Sequence, residues 1–155
     1  MVHALDAMRY LFGDVERIYA EGDNYVFKEF SPPDSAILVM RFANGAIGAI
    51  GGGCTSDQRI SREYLDAHFE GGVAQISGML DAPYNLRLLK RDDERPEEHF
   101  FEGSDGVREE ITHFLDCIQN DKPLIATGTD GRKALELALA TLESIRTRSI
   151  LRLSD

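Results

Sequence analysis

The sequence has no apolar stretch approaching the ~20 residues that a bilayer-crossing helix needs; its longest runs, such as residues 36–40, fall far short. Residues 1–20 lack the basic-then-apolar pattern of an export signal. With neither device, a cytoplasmic protein without membrane contact is expected. Cysteine is scarce. Cys54 and Cys117 are the only two, neither has a C-x-x-C partner, and a disulfide scaffold is excluded, so both are expected as reduced thiols. The histidines His3, His68, His99 and His113 show no metal-ligand spacing such as H-x-x-x-H, and no bound metal is expected. Positive charge is also short: 17 Lys and Arg stand against 27 Asp and Glu, a formal net charge of −10. No Lys/Arg run breaks this excess, so the field repels phosphate backbones and nucleic acid is not an expected partner.

What is present is 155 residues with 43% hydrophobic and 28% charged content, enough for one continuous core and read as a single domain over 1–155. Residues 3–12 place Ala4, Leu5, Met8, Leu11 and Phe12 on one helical face, and Gly13 supplies the stop. This helix starts almost at Met1 without a capping residue, as though the chain continued from something longer. From Val15 to Phe101 the texture turns to short β-prone runs punctuated by Gly, Asn, Asp and Pro. Residues 34–42 and 46–53 flank Ala43-Asn44-Gly45, a strong hairpin signal. A second pair, 63–69 and 73–77, turns at Glu70-Gly71-Gly72, and a third joins 85–91 to 97–101. A sheet of six or more strands is expected.

Helical period returns after Gly103. Val107, Ile111, Phe114, Leu115 and Ile118 share a face, with Ser104 or Asp105 as cap and Asp121-Lys122-Pro123 as stop. Residues 130–147 put Ala134, Leu135, Ala138, Leu139, Leu142 and Ile145 on an apolar stripe, and 149–153 suit a closing strand. The expected fold is α+β: an open, mostly antiparallel sheet with helices packed on one face. Residues 36–42 are apolar at consecutive positions apart from Arg41, so both faces of that strand want burial while one helix layer covers only one. The other face is therefore expected to serve oligomerisation, as a homodimer or homotetramer. The acidic run 92–98, with five acids in seven residues, reads as a solvated hairpin loop.

Three segments add family information: His3-Ala4-Leu5-Asp6-Ala7-Met8-Arg9-Tyr10-Leu11-Phe12-Gly13, then Met40-Arg41-Phe42-Ala43-Asn44-Gly45-Ala46, then Glu109-Glu110-Ile111-Thr112-His113-Phe114. The last continues through Thr127-Gly128-Thr129-Asp130-Gly131-Arg132-Lys133-Ala134-Leu135 to Glu143-Ser144-Ile145. In order and spacing they resemble the C-terminal domain of the glucose-fructose oxidoreductase/inositol dehydrogenase/rhizopine-catabolism family. That resemblance implies a preceding domain that binds NAD or NADP, and hydride transfer to or from a sugar, polyol or cyclitol carbon. The preceding domain is missing from this sequence: no strand-G-x-G-x-x-G-helix unit occurs, and Gly48 and Gly51-Gly52-Gly53 are read as close packing or bulges in a sheet. No cofactor is expected to bind this chain alone, and the family's Glu-Lys-Pro motif is absent.

By the same resemblance, His3 matches the histidine of an Asp-x-x-x-His pattern whose aspartate would precede Met1, and it is implied to act as acid/base for the substrate hydroxyl. The residue type suits the task, since alcohol oxidation needs a proton acceptor in hydrogen-bond reach. Read from position alone, an N-terminal histidine is instead frayed and solvated. Asp6, one turn along, is a helix-face or substrate-side polar group, and Arg9 pairs with an acid. The segment 57–64 is implied to contact substrate through Arg59, Arg62 and Tyr64, which otherwise read as surface residues. His113 is expected as a hydrogen-bonded structural histidine and Cys117 as a small core filler. The resemblance thus makes the chain the substrate-binding and oligomerisation domain of an oxidoreductase, inactive by itself. The alternative is a stand-alone scaffold or binding domain that kept the sheet and lost catalysis. An independent acid/base enzyme would need a titratable pair in one pocket, and none is legible.

Overall fold

The computed structural model of the chain describes residues 1–54, 63–78, 84–103 and 105–153. Its elements run α1 (Val2–Phe12), β1 (Val15–Asp23), β2 (Ser35–Phe42), β3 (Ile47–Gly53), β4 (Tyr64–Phe69), β5 (Gly72–Ser77), β6 (Tyr84–Lys90), β7 (Glu97–Phe101), α2 (Gly106–Asn120), α3 (Gly128–Thr147) and β8 (Leu151–Arg152). This is the expected α+β class, and every observed strand pairing is antiparallel. Among the described residues the strands pair as two four-stranded ladders, β3-β2-β1-β8 and β4-β5-β6-β7. The chain divides into two compact units accordingly, one of Met1–Ser56 with Ile125–Asp155 and one of Asp57–Leu124.

In the first unit, Ala36, Leu38, Met40 and Phe42 alternate along β2 and are buried, together with Ile18 and Ala20 of β1. This face carries α1 and α3, whose Leu5, Met8, Ala134 and Leu137 are buried as well. The period of two sends Ile37 and Val39 to the opposite face, where both remain exposed. The β2–β3 hairpin forms as its sequence dictates: Gly45 sits at φ 88°, a left-handed conformation open to glycine, and Phe42 N–H donates to Ala46 O at 2.9 Å. Glycine serves a different purpose at Gly48. A Cβ there would lie 2.8 Å from Met8 Cε, so its absence lets α1 lie directly on β3.

Helix α3 meets the sheet with a face other than the leucine stripe its sequence suggests. Ala134, Leu137, Ala140, Thr141 and Ser144 are buried, whereas Leu135, Leu139 and Leu142 are exposed. Small residues permit a close approach to β1, and Ser144 adds polar complementarity: its Oγ accepts from Ala20 N–H at 2.9 Å and donates to Ser149 O at 2.7 Å. The helix also starts earlier than expected. Thr127 is the N-cap and forms a capping box with Asp130, a T-x-x-D signal present in the sequence. Strand β8 closes the sheet against β1 through Arg17↔Arg152 and Ile18↔Leu151.

In the second unit, Leu65, Ala67, Ala74, Ile76, Leu86 and Leu88 share one face of the sheet by register, and Tyr64, Asp66, His68, Gln75 and Arg87 share the other. Helix α2 is capped by Asp105, whose carboxylate accepts from Arg108 N–H at 3.0 Å. Its apolar stripe, expected in a core, is exposed at Val107, Ile111, Phe114, Leu115 and Ile118; Cys117 is the buried residue of this helix.

Candidate functional site

Helix α1 presents His3 on its first turn, exposed, with Asp6 one turn further along. The helix direction follows from its packing. A side chain at Gly52 would come within 3.5 Å of Met1 Cε, and one at Gly48 within 2.8 Å of Met8 Cε. The N-terminal turn therefore lies over the C-terminal end of β3. Also at that end are Asp23, where β1 stops, and Ser35, where β2 starts and pairs with both Asp23 and Gly53.

The other end of α1 is held by charge. Arg9, half-buried, donates to Asp130 Oδ1 at 2.6 Å and lies 3.7 Å from both Asp6 and Asp14. Its hydrogen bond to Asp130 and the surrounding carboxylates hold the guanidinium above its ordinary range, against the opposing effect of burial. Asp130 serves two helices at once: Oδ2 accepts from Thr127 Oγ1 at 2.6 Å and Thr127 N–H at 2.9 Å, while Oδ1 binds Arg9. The Thr127 hydroxyl and backbone, then Arg9, hold this carboxyl well below the usual range. Lys133 reaches Asp14 at 2.6 Å and, as the chief cause, holds it low. Arg9 thus pairs with acids, as expected, and the network fixes the helix that carries His3 and Asp6.

Beyond Asp23, residues 24–34 form an ordered connection that the sequence did not single out. The Asp34 carboxylate accepts from Val26 N–H at 2.8 Å and Phe27 N–H at 2.9 Å, and Asp34 N–H donates to Asn24 Oδ1 at 2.7 Å. Burial would raise the Asp34 pKa, but the N–H groups of Phe27, Val26 and Tyr25 and the Ser35 hydroxyl outweigh it and lower it to about 2. The signal was an Asx residue at each end of a turn-rich segment.

Of the remaining sequence candidates, Tyr64 opens β4 in the second unit and is exposed. Arg59 and Arg62 lie outside the described residues. The structure therefore brings His3 and Asp6 together on one helix and places Tyr64 in the other compact unit. His113 contacts Cys117, with Nε2 3.5 Å from the thiol sulfur, and Cys117 also donates to Pro123 O at 3.4 Å. That supports a structural histidine beside a buried cysteine. Among the described residues no three His, Cys, Asp or Glu side chains are arranged to hold a metal ion.

A nicotinamide dinucleotide needs a phosphate cradle of backbone N–H groups at a strand-to-helix turn. The glycines of β3 do not form one. The glycines of β3 pair along their length with β2, and Gly48 and Gly52 back onto α1.

The fold is shared with solved oxidoreductases. Aldose-aldose oxidoreductase from Caulobacter crescentus, complexed with glycerol, matches 98% of the chain and 45% of its own at TM-score 0.82 and 18% identity. Levoglucosan dehydrogenase in complex with NADH and levoglucosan matches 99% and 49% at TM-score 0.81 and 17% identity. Residues 1–84 match the sequence profile of the GFO/IDH/MocA C-terminal domain, and the chain belongs to that family. A sequence relative, the myo-inositol 2-dehydrogenase of Thermotoga maritima, is 27% identical over 99% of the chain and 48% of its own length. The chain spans about half the length of the curated relatives it matches. No helix among the described residues is long and apolar enough to cross a membrane.

Proposed function

We propose that this chain is the substrate-binding and self-association domain of an NAD- or NADP-dependent oxidoreductase that acts on a hydroxyl of a sugar, polyol or cyclitol. The observation that carries the reading is the family match over residues 1–84, which includes the helix presenting His3. Relatives named for myo-inositol and D-apiose oxidation supply the substrate class. In this reading the His3 imidazole accepts the proton of the substrate hydroxyl as the alcohol is oxidised, and returns it in the reverse direction. Asp6 takes a substrate-side hydrogen bond, and Arg59, Arg62 and Tyr64 contact the polyol. The cofactor is held by residues outside this chain, which alone neither binds it nor turns over. The exposed apolar face of the first sheet joins copies of the chain into a homodimer or homotetramer.

The test uses the chain as it is. Calorimetry with NADH and NADPH is expected to show no binding, and a myo-inositol and aldose titration followed by NMR is expected to move the His3 ring signals at millimolar concentration. Micromolar cofactor binding would overturn the assignment of the cofactor to other residues. His3 signals unmoved by every sugar, beside an intact dimer, would favour the non-catalytic scaffold instead.

A further inference from the structure

Apolar surface is also displayed away from the sheet, in the connection between β1 and β2. Tyr25, Val26, Phe27 and Phe30 lie there between 44% and 67% exposed, so they add little to the core. The segment that carries them is pinned by its own hydrogen bonds. The buried Asp34 carboxylate holds the Val26 and Phe27 N–H groups, Phe30 N–H donates to Phe27 O at 3.1 Å, and Asn24 Nδ2 donates to Phe30 O. Phe27 and Phe30 meet edge to face with centroids 5.7 Å apart. Lys28 Nζ, bonded to Asn24 O at 2.6 Å, lies 5.9 Å from the Tyr25 ring centre. Aromatic groups held in this way lose little conformational freedom when a ligand settles on them. The segment is also tied to the end of the sheet over which α1 begins. Cys54 N–H donates to Asp34 O at 2.8 Å, and Cys54 follows by two residues the Gly52 that lies beneath Met1 Cε. Neighbouring strands stand about 4.8 Å apart, so a segment running from β1 to β2 lies within about 10 Å of β3, beside the helical turn that presents His3.

We propose that this aromatic segment is a second subsite beside His3, taking the ring attached to the sugar that is oxidised, so that the substrate is a glycoside. This rests on the reading of His3 as the acid/base and adds what the rest of the substrate is. Size decides the kind of occupant. A fully buried aromatic side chain covers about 150–250 Å², and these rings have roughly half to two-thirds of their surface free. Together with Val26 they offer a few hundred Å², well short of the ~800 Å² that each partner gives to a standard protein interface. A single ring of a small ligand needs no more, and aromatic lining with a few polar groups is what such ligands bind. A second sugar or an aryl ring brings a flat face for Phe30 or Tyr25 to cover. Its hydroxyls stay hydrated at the rim or reach the Lys28 ammonium.

The experiment titrates the chain with myo-inositol and with matched methyl and phenyl glycosides of glucose, galactose and xylose, following the ring signals of His3, Tyr25 and Phe30 by NMR. Tyr25→Ala, Phe30→Ala and the control Phe100→Ala, an exposed ring of the second unit, are compared with the wild type, with circular dichroism melts to confirm folding. At least one phenyl glycoside is expected to bind about tenfold more tightly than its methyl partner and to move the His3 and Phe30 signals together. Phe30→Ala or Tyr25→Ala should remove that advantage and leave the effect of the methyl glycoside on His3 unchanged, whereas Phe100→Ala should alter neither. Phenyl glycosides no tighter than their methyl partners, or an advantage that survives both Tyr25→Ala and Phe30→Ala, would overturn the aromatic subsite and leave the His3 reading standing. The same holds if myo-inositol moves His3 while every glycoside is silent, or if phenyl glycosides move Phe30 but not His3. His3 signals unmoved by every compound would overturn both.

Discussion

Ser144→Ala tests the packing of α3, because the change removes one oxygen from a fully buried site and leaves no cavity larger than an atom. The Oγ bridges two elements, accepting from Ala20 N–H at 2.9 Å and donating to Ser149 O at 2.7 Å. Ala20 is itself fully buried, so its N–H would be stranded, at a cost of about 1–3 kcal/mol. Ser149 lies beyond the helix and is exposed, so its carbonyl recovers a water and contributes about 1 kcal/mol at most. The expected loss is therefore about 2–3 kcal/mol, or roughly 5–10 °C in Tm. Urea unfolding of the wild type, Ser144→Ala and the exposed-face control Leu135→Ser reads this directly, with the control expected within about 0.5 kcal/mol of wild type. Amide exchange at Ala20 should accelerate in Ser144→Ala alone. If Ser144→Ala cost no more than Leu135→Ser, the helix would not be seated on the face described.

Gly48→Ala places a methyl 2.8 Å from Met8 Cε, the mobile end of that side chain, and 3.2 Å from the Phe42 ring, so Met8 should yield and the change should cost no more than about 1 kcal/mol, measured by thermal melting; Gly13→Ala is no control, because its φ of 89° adds strain of its own. Asp130→Ala removes the second half of the α3 capping box and the Arg9 partner together, so it should destabilise by more than the ~1 kcal/mol of a lost cap, with Thr127→Val losing less. For Asp34, whose folded pKa is lowered to about 2, the stabilisation is present above the unfolded carboxyl range and is lost as pH falls toward 2. Asp34→Asn should therefore be the less stable chain at pH 7, with a flatter stability profile between pH 4 and 2 in urea titrations.

Local patterns carried most of the fold. The Asn44-Gly45 hairpin, the α1 stripe ending at Gly13 and the strand at 97–101 were legible because each is decided within a few residues. The division of the strands into two ladders was not, since partner choice between distant strands leaves no local mark. The α3 face was misread for a related reason. Leucines give a strong periodic signal, whereas the small residues Ala140, Thr141 and Ser144, which are buried, do not, and Ser144 is satisfied by Ala20 and Ser149 in the folded unit. At the site, His3 and Asp6 were named by resemblance, and Arg9 was expected to pair with an acid. Its partner Asp130 lies 121 positions away, so the pair was beyond any spacing rule, although the capping box that orients Asp130 was written in the sequence.

The most direct test of the central claim replaces the corresponding C-terminal portion of Thermotoga maritima myo-inositol 2-dehydrogenase with this chain and measures NADH formation on a panel of sugars and cyclitols. A chimera that binds NADH and melts cooperatively is predicted to oxidise at least one of them, and His3→Ala is predicted to lower that rate by about 10²–10⁴-fold with cofactor binding unchanged. A folded, cofactor-binding chimera that oxidises nothing on the panel, or one whose rate is indifferent to His3→Ala, would contradict the account.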